Sequence, residues 1–302
     1  GMGPTIFSWH SKKHETKYGL RLFPIGGFVS MVGEDEESSE EGAFCNQSIW
    51  KRMLIVLAGP LMNLLLGFIL MTVLVFSQGT LASTTIAKFD EQAVSKQKLE
   101  VEDEVLKVGD TRVHTGDEMV YEIMNQGYEP IDILVLRDGE KLLVEDVEFP
   151  SMSDSGAVFG NYDFIPYAEQ RTVPNLLKHA FFRSVSNVKM VYDSLAGLVT
   201  GRFGMDAVSG PVGVAEVVGD AAKNGLQSLL FIVTVLSVNL GVFNLIPFPA
   251  LDGGRFLFLI IEGIRKKPID RNVEAAINFI GIMILFAFMI LITVKDIFKL
   301  FG

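Results

Sequence analysis

The chain has 302 residues, a mean hydropathy of +0.36 and a formal net charge of −10. Its one cysteine, Cys45, excludes an internal disulfide framework. The overall fractions, 49% hydrophobic and 21% charged, are compatible with a soluble protein, so the class must be read from how charge is distributed along the chain.

The N-terminal region is predicted to contain a β-hairpin. Residues 18–31 alternate in polarity around Gly26 and Gly27, which is typical of a hairpin with one apolar face. His10 and His14 lie four residues apart, as two metal ligands on a helix would. The residues after His14 do not complete an H-E-x-x-H pattern, so a metal site is not favoured here.

Three stretches contain no charged residue: 53–76, 225–251 and 275–294. The first has 24 residues, enough to cross a hydrocarbon core of roughly 30 Å at about 1.5 Å per residue. Buried helices of soluble proteins rarely stay uncharged for so long. We therefore predict three membrane spans, over residues 52–77, over residues 225–251 and within a C-terminal segment of residues 275–302.

Basic residues predict the orientation of these spans, because they are enriched on the cytoplasmic side. Lys51 and Arg52 precede the first span, and four of the five basic residues in the predicted loop 252–274 lie between positions 265 and 271. Residues 1–51 and this loop should then be cytoplasmic, and residues 77–224 should lie outside. Lys295 and Lys299 conflict mildly with an external C-terminus.

The first part of the external region, residues 84–149, contains 17 acidic and 7 basic residues, a net −10 that equals the charge of the whole chain. Residues 131–136 and 141–147 read as strands joined by the turn Arg137-Asp138-Gly139-Glu140. Residues 117–126 read as a short helix. The pattern predicts a small α/β domain with mostly antiparallel strands.

The second external part, residues 150–224, is predicted to be a linker with an amphipathic helix over residues 172–199. Such a helix could lie on the membrane surface, and packing on the external domain is equally compatible with the pattern. His114 and His179 are interpreted as isolated surface histidines.

Polar side chains in or beside the spans are functional candidates, because an unpartnered polar group in hydrocarbon costs several kcal/mol. These residues are Asn63, Asn239, Asn244 and Asp252. Pro247 and Pro249 break the helix just before Asp252. Backbone freed at that depth must face protein or a wet cavity, so Asp252 is a candidate metal ligand or proton carrier. A local helix-capping role is the alternative.

A series of segments, in the same order along the chain, resembles the bacterial site-2 proteases, the intramembrane zinc metalloproteases of the regulator-of-sigma-E protease type. They are residues 1–7, which resemble the stretch after the family's first catalytic helix; residues 18–34, its membrane-associated β-loop; Gly59-Pro60 with Asn63, its G-P-x-x-N element; residues 84–149, its PDZ domain; residues 209–213, its S-G-P-V-G stretch; and residues 244–254, its N-x-x-P-x-P-x-L-D-G motif.

The resemblance implies a function and a set of site residues. The family cleaves single-span membrane proteins with Zn²⁺, and Asp252 corresponds to its third protein ligand. Asn63 and Asn244 would line the cleft and hold substrate backbone, and the hairpin at Gly26 and Gly27 would hold substrate extended by β-addition. The motif residues Gly59, Pro60, Pro247, Pro249 and Gly253 would be structural.

The resemblance also implies a location and partners. The protein would be a multi-pass protein of the bacterial inner (plasma) membrane, with an extracytoplasmic PDZ domain that gates access for a membrane-protein or peptide substrate. An anti-sigma factor or a remnant signal peptide is the kind of substrate the family suggests. The bilayer is the other expected partner, no nucleic acid is expected, and the oligomeric state is left open.

One departure from the family pattern is large. In the family, H-E-x-x-H supplies the other two zinc ligands and the general base, and this sequence contains no H-E-x-x-H. We therefore expect an N-terminally truncated member with three of four spans, inactive on its own. The alternative is a non-catalytic membrane PDZ protein that binds or sequesters clients. A transporter with an ion site at Asp252 is a third reading, disfavoured because no inverted repeat is visible among three spans.

Overall fold

The computed structural model describes residues 2–10, 16–23, 29–34, 38–154 and 157–301. The strands are β1 (Met2–His10), β2 (Lys17–Phe23), β3 (Leu81–Phe89), β4 (Glu104–Val108), β5 (Thr111–Arg112), β6 (Ile131–Arg137), β7 (Glu140–Val147), β8 (Ser151–Asp154), β9 (Ala157–Gly160) and β10 (Phe164–Glu169). The helices are α1 (Ile49–Ser77), α2 (Gly116–Gln126), α3 (Val173–Thr200), α4 (Pro211–Lys223), α5 (Leu226–Leu245), α6 (Asp252–Arg265) and α7 (Arg271–Phe301). The chain forms two compact units, Gly1–Ile55 and Val56–Gly302, described separately below.

The first unit contains an antiparallel hairpin of β1 and β2. Trp9 pairs with Tyr18, and their rings stack with centroids 5.1 Å apart. The predicted hairpin paired residues on either side of Gly26 and Gly27, which is wrong for the described residues. β2 pairs with the preceding strand β1, and residues 29–31 are not in a strand. Gly26, Gly27 and His14 lie outside the described residues.

The second unit contains the acidic domain predicted over residues 84–149 as an antiparallel sheet in the order β10-β3-β4-β6-β7, with β5 beside β4. The predicted hairpin between β6 and β7 is confirmed, and its turn has φ of +50° at Asp138 and +84° at Gly139. Two positive φ values are typical of a type I′ turn, whose twist matches that of the strands. Helix α2 is also confirmed and begins with a capping box between Thr115 and Glu118.

The sheet extends beyond the predicted boundary at residue 149, because β10 pairs with β3. We call strands β3–β7 and β10 with helix α2 the sheet domain. Its core joins α2 to the strands through fully buried apolar side chains, namely Ile86, Val105, Val108, Met119, Ile123, Ile133 and Val135.

Among the described residues, three helices are long and apolar enough to cross a membrane, over Ile49–Ser77, Leu226–Leu245 and Arg271–Lys299. They coincide with the three predicted spans. Between the last two, the predicted loop 252–274 is mostly helical, since α6 begins at Asp252. The chain therefore leaves α5, makes a short turn and enters a second helix.

Helix α3 packs against both the sheet domain and the spans. Lys189 forms an ion pair with Glu122 of α2 at 2.9 Å, and Tyr121 donates a hydrogen bond to Asp193 at 2.7 Å. On another face of α3, Val191 joins a buried cluster with residues of α5, namely Val238 and Val242. Packing of this helix on the sheet domain, one of the two predicted arrangements, is thus observed.

Candidate metal centre

The turn between α5 and α6 is built by the two prolines of the P-x-P motif. Helix α5 ends at Leu245, and neither Pro247 nor Pro249 has an N–H to continue it. Phe248 donates a backbone hydrogen bond to Ile246 at 2.7 Å, which closes a tight bend. We call residues 246–251 the ligand turn, because they lead directly into Asp252, the predicted metal ligand.

Two glycines after Asp252 fix the start of α6 against this turn. A Cβ atom on Gly253 would lie 2.3 Å from the carbonyl oxygen of Ile246, and one on Gly254 would lie 2.3 Å from that of Phe248. Both distances are far below van der Waals contact, so no larger residue fits without moving the backbone. The two glycines of the D-G-G sequence are therefore a packing requirement of the turn.

Asp252 is the first residue of α6 and is partly buried. A carboxylate at this position interacts favourably with the positive end of the helix dipole. It also faces the G-P-x-x-N element, since a Cβ atom built on Gly59 of α1 would lie 3.5 Å from Asp252 Oδ2. The structure thus brings together two of the predicted motifs, G-P-x-x-N and L-D-G.

The other predicted cleft residues lie on the same helices. Asn63 is one turn beyond Gly59 on α1, and Pro60 lies inside that helix. Asn244 lies in the last turn of α5 and is partly buried, as is Asn63. Their role in holding substrate stays a prediction.

Helix α7 holds the ligand turn through residues that the sequence analysis missed. The backbone N–H of Ala250 donates a hydrogen bond to Asn278 Oδ1 at 3.1 Å. One turn further, a Cβ atom on Gly281 would lie 2.6 Å from the carbonyl oxygen of Pro249, so α7 is in direct contact with the turn. An amide inside the uncharged stretch 275–294 was the signal that could have identified Asn278.

A second missed residue, Asp296, explains the S-G-P-V-G motif. Its Oδ2 accepts hydrogen bonds from the backbone N–H groups of Gly210 at 2.8 Å and Gly213 at 3.0 Å. Asp296 is buried, and its neighbour Lys295 donates to the carbonyl oxygen of Met205 at 2.9 Å. Asp296 and Lys295 near the end of α7 therefore bind the backbone of residues 205–213, at and before the first turn of α4.

The interpretation of His179 as a surface residue is wrong, because its side chain is fully buried between α3, β10 and α2. Nε2 lies 2.8 Å from Glu169 Oε2, and Nδ1 lies 3.8 Å from Asp117 Oδ2. Burial alone would lower the pKa of His179, but the two carboxylates outweigh it and raise that pKa. Burial alone would raise the pKa values of Glu169 and Asp117, but His179 outweighs it together with Lys178 at Glu169 and Arg183 at Asp117, so both pKa values are lowered. The cluster joins α3 to the sheet domain.

The chemistry of Asp252 suits a zinc ligand, since carboxylate oxygen is one of the donors that zinc binds in proteins. Because Gly59 has no side chain, the backbone of α1 lies directly beside that carboxylate. Within the part of the chain that the structure describes, no group of three or more His, Cys, Asp or Glu side chains could hold a metal ion. Asp252 would therefore be one member of a ligand set that these residues do not complete.

Comparison with known families decides the classification. Residues 1–288 match the profile of peptidase family M50. The chain belongs to this family. The match confirms the resemblance to site-2 proteases, and with the three apolar helices it identifies a multi-pass membrane protein of a peptidase family.

Several relatives align over nearly the whole chain. A Clostridium perfringens protein is 34% identical over 298 residues, covering 98% of this chain and 88% of the relative. The zinc metalloprotease RasP of Shouchella clausii is 30% identical and covers 100% of this chain and 91% of the relative. The regulator of sigma-W protease RasP of Bacillus subtilis is 28% identical, with 100% and 90% covered.

Proposed function

We propose that this chain carries one zinc ligand, Asp252, of an intramembrane metallopeptidase that cleaves single-span membrane proteins. The observation that carries the proposal is the position of that carboxylate. It follows a helix break between two candidate spans and faces Gly59 of a third helix. An ionisable residue at membrane depth is a functional candidate by default, and carboxylate oxygen is one of the donors that zinc binds in proteins.

Each residue around the site has a defined part in this function. Gly253 and Gly254 hold the start of α6 against the ligand turn, and Gly59 lets the backbone of α1 lie close to Asp252. When bound, zinc supplies a Lewis acid and a water molecule of lowered pKa. Asn63 and Asn244 would bind the backbone of the unwound substrate, because amide side chains can both donate and accept hydrogen bonds.

The remaining zinc ligands and the general base would come from an H-E-x-x-H helix, which the sequence does not contain. We propose that this helix is supplied from outside these 302 residues and that the chain alone does not cleave substrate. The relatives named zinc metalloproteases, which cover this chain fully, support zinc as the metal.

The external and N-terminal parts would select and hold the substrate. We propose that the sheet domain is a PDZ domain on the extracytoplasmic side, where it would exclude substrates with bulky external parts. Its antiparallel strands and the capped helix α2 support this assignment. The first unit, with its exposed aromatic hairpin and Gly26-Gly27, would bind substrate as an added strand.

The substrate class is proposed from the same family. One relative is named a regulator of sigma-W protease, so an anti-sigma factor is a candidate for this chain, as is a remnant signal peptide. Lys51 and Arg52, near the beginning of α1, support a cytoplasmic start of this helix in the bacterial plasma membrane.

A second candidate function is a non-catalytic membrane protein that binds clients through the PDZ domain. It is favoured by the lack of H-E-x-x-H in the sequence and of a three-donor metal cluster among the described residues. In this case Asp252 would only cap α6, and zinc would not be needed.

Cleavage of a single-span substrate distinguishes the two functions. The chain is expressed behind an H-E-x-x-H helix of the family, with Asp252→Asn as the test variant and Asp270→Asn as the control. Asp270 caps the start of α7 through Asn272 N at 2.8 Å, outside the site. We expect Asp252→Asn to lower cleavage more than about 100-fold, because losing a ligand exceeds the effect of losing an outer contact. Equal cleavage by both variants would refute the ligand assignment.

A further inference from the structure

We infer that Asn278 of α7 is a positioning residue for Asp252: it sets where the carboxylate points by holding the ligand turn two residues earlier. The inference rests on the proposed function, in which Asp252 binds zinc. It concerns α7, which carries no recognised motif of the site.

The turn needs an outside partner because it has few of its own. Pro247 and Pro249 have no N–H, so the segment closes on itself through only a few backbone hydrogen bonds, such as Leu251 N to the carbonyl of Phe248 at 3.1 Å. Ala250 has φ of +76°, in the left-handed region, which is unfavourable for a residue with a Cβ atom. A strained residue persists only when its surroundings hold it.

Asn278 supplies that hold. Its Oδ1 accepts the N–H of Ala250 at 3.1 Å, and it is partly buried on a candidate membrane span. An amide side chain on such a span is costly in hydrocarbon unless it forms a hydrogen bond. Here the side chain accepts the hydrogen bond of the Ala250 N–H group, which the helix break leaves without a partner within a helix.

Gly281 provides a second contact on the same face of α7. Its Cα packs so closely on the carbonyl of Pro249 that a Cβ atom would come within 2.6 Å. Helix α7 thus touches two consecutive residues of the turn, Pro249 by packing and Ala250 by a hydrogen bond. Two contacts on adjacent residues fix both the position and the rotation of the turn.

The effect reaches Asp252 through a short and stiff connection. Only Leu251 separates Ala250 from Asp252, and Arg255 N already bonds to the carbonyl of Leu251 at 3.2 Å as α6 begins. A rotation of the turn therefore moves the start of α6 and the carboxylate that faces Gly59. Metal–ligand distances tolerate only about ±0.2 Å, so a small displacement weakens zinc binding.

The test measures zinc affinity by competition with a chelator, using the chain expressed behind an H-E-x-x-H helix of the family. Asn278→Leu removes the acceptor at similar size, and Asn278→Asp keeps an acceptor oxygen. Thr293→Val is the matched control, because it removes a polar atom from the same helix whose bond, to Met289 O at 2.7 Å, stays within α7.

We expect Asn278→Leu to weaken zinc binding about 10- to 100-fold, the usual range for outer contacts of metal ligands. Asn278→Asp should restore most of the affinity, and Thr293→Val should leave it unchanged. Cleavage by Asn278→Leu should recover when zinc is raised above the new Kd, which a general loss of folding would not allow. If Asn278→Leu fails to fold, Asn278→Ser, which shortens the side chain away from Ala250 N, tests the same hydrogen bond, and it should also weaken zinc binding.

The possible failures are distinguishable. If Asp252→Asn abolishes zinc binding while Asn278→Leu binds it as tightly as wild type, the inference about Asn278 is wrong and the proposed function stands. If Asn278→Leu and Thr293→Val weaken zinc equally, α7 acts only as a general support and the inference is also wrong. If Asp252→Asn itself retains tight zinc, the proposed function fails first.

Discussion

Replacing Asp296 with alanine is expected to release the first turn of α4 from α7. The single oxygen Oδ2 accepts both backbone N–H groups, from Gly210 and Gly213. Leaving a buried donor unsatisfied costs about 1–3 kcal/mol, so two such groups together cost about 2–6 kcal/mol. At about 1.4 kcal/mol per factor of ten, amide hydrogen exchange at these two glycines should accelerate from about 30-fold to about 10⁴-fold.

Hydrogen exchange with mass spectrometry resolves this effect on peptides spanning residues 205–214. Asp296→Asn is the graded variant: it keeps one acceptor oxygen, so exchange should rise by less than about tenfold. Asp220→Ala is the control on α4, since Asp220 pairs with Lys223 on the surface at 2.9 Å. Exchange in Asp296→Ala within about threefold of wild type, roughly 0.6 kcal/mol, would refute the role assigned to this carboxylate.

Two further predictions concern the sheet domain and its contact with α3. Because the folded-state pKa of His179 is raised, the stability it contributes is fully present below about pH 6.5 and is lost as pH rises through the raised pKa. Thermal unfolding should therefore occur at a lower temperature at pH 8.5 than at about pH 6. His179→Gln should remove much of this difference in unfolding temperature. The same difference in the variant as in the wild type would contradict a stabilising charge on His179. Arg137→Met should destabilise the chain by about 3–5 kcal/mol, because it strands the fully buried Asp103, whose Oδ1 lies 2.7 Å from Arg137 Nε. Denaturant unfolding measures this loss against Arg112→Met, and equal stability of the two variants would count against a buried ion pair.

The sequence analysis predicted correctly those elements that neighbouring residues determine, such as the β6–β7 turn and the three apolar helices. The turn at Asp138-Gly139 needs positive φ, and these residue types announce it. The uncharged stretches predicted the three apolar helices for the same reason, since composition alone makes a helix suitable for hydrocarbon. Asp252 stood out because charge at a proline break is rare.

The features that escaped prediction depend on contacts between distant segments. β10 joins the sheet only by pairing with β3, some 80 residues earlier in the chain, and nothing in its own residues marks that partner. His179 is buried because two elements of the sheet domain close over it. Asn278 and Asp296 each bind backbone groups far away in the sequence, which spacing along α7 does not reveal.

In the hairpin of the first unit, the sequence analysis identified one strand correctly but predicted the wrong partner for it. Alternation around Gly26 and Gly27 suggested a turn there, but β2 takes β1 as its partner. Alternating polarity identifies a strand and leaves its neighbour open. The stacked pair Trp9 and Tyr18 is a cross-strand contact that only the fold displays.

The central claim, that Asp252 binds zinc, is tested most directly by measuring zinc stoichiometry and the X-ray absorption edge of zinc. The sample is the chain joined to an H-E-x-x-H helix, compared with its Asp252→Asn variant at matched free zinc. The account predicts about one zinc per chain with nitrogen and oxygen ligands in the wild type, and a large loss of bound zinc in the variant. Equal zinc content and an identical absorption spectrum in both proteins would contradict it.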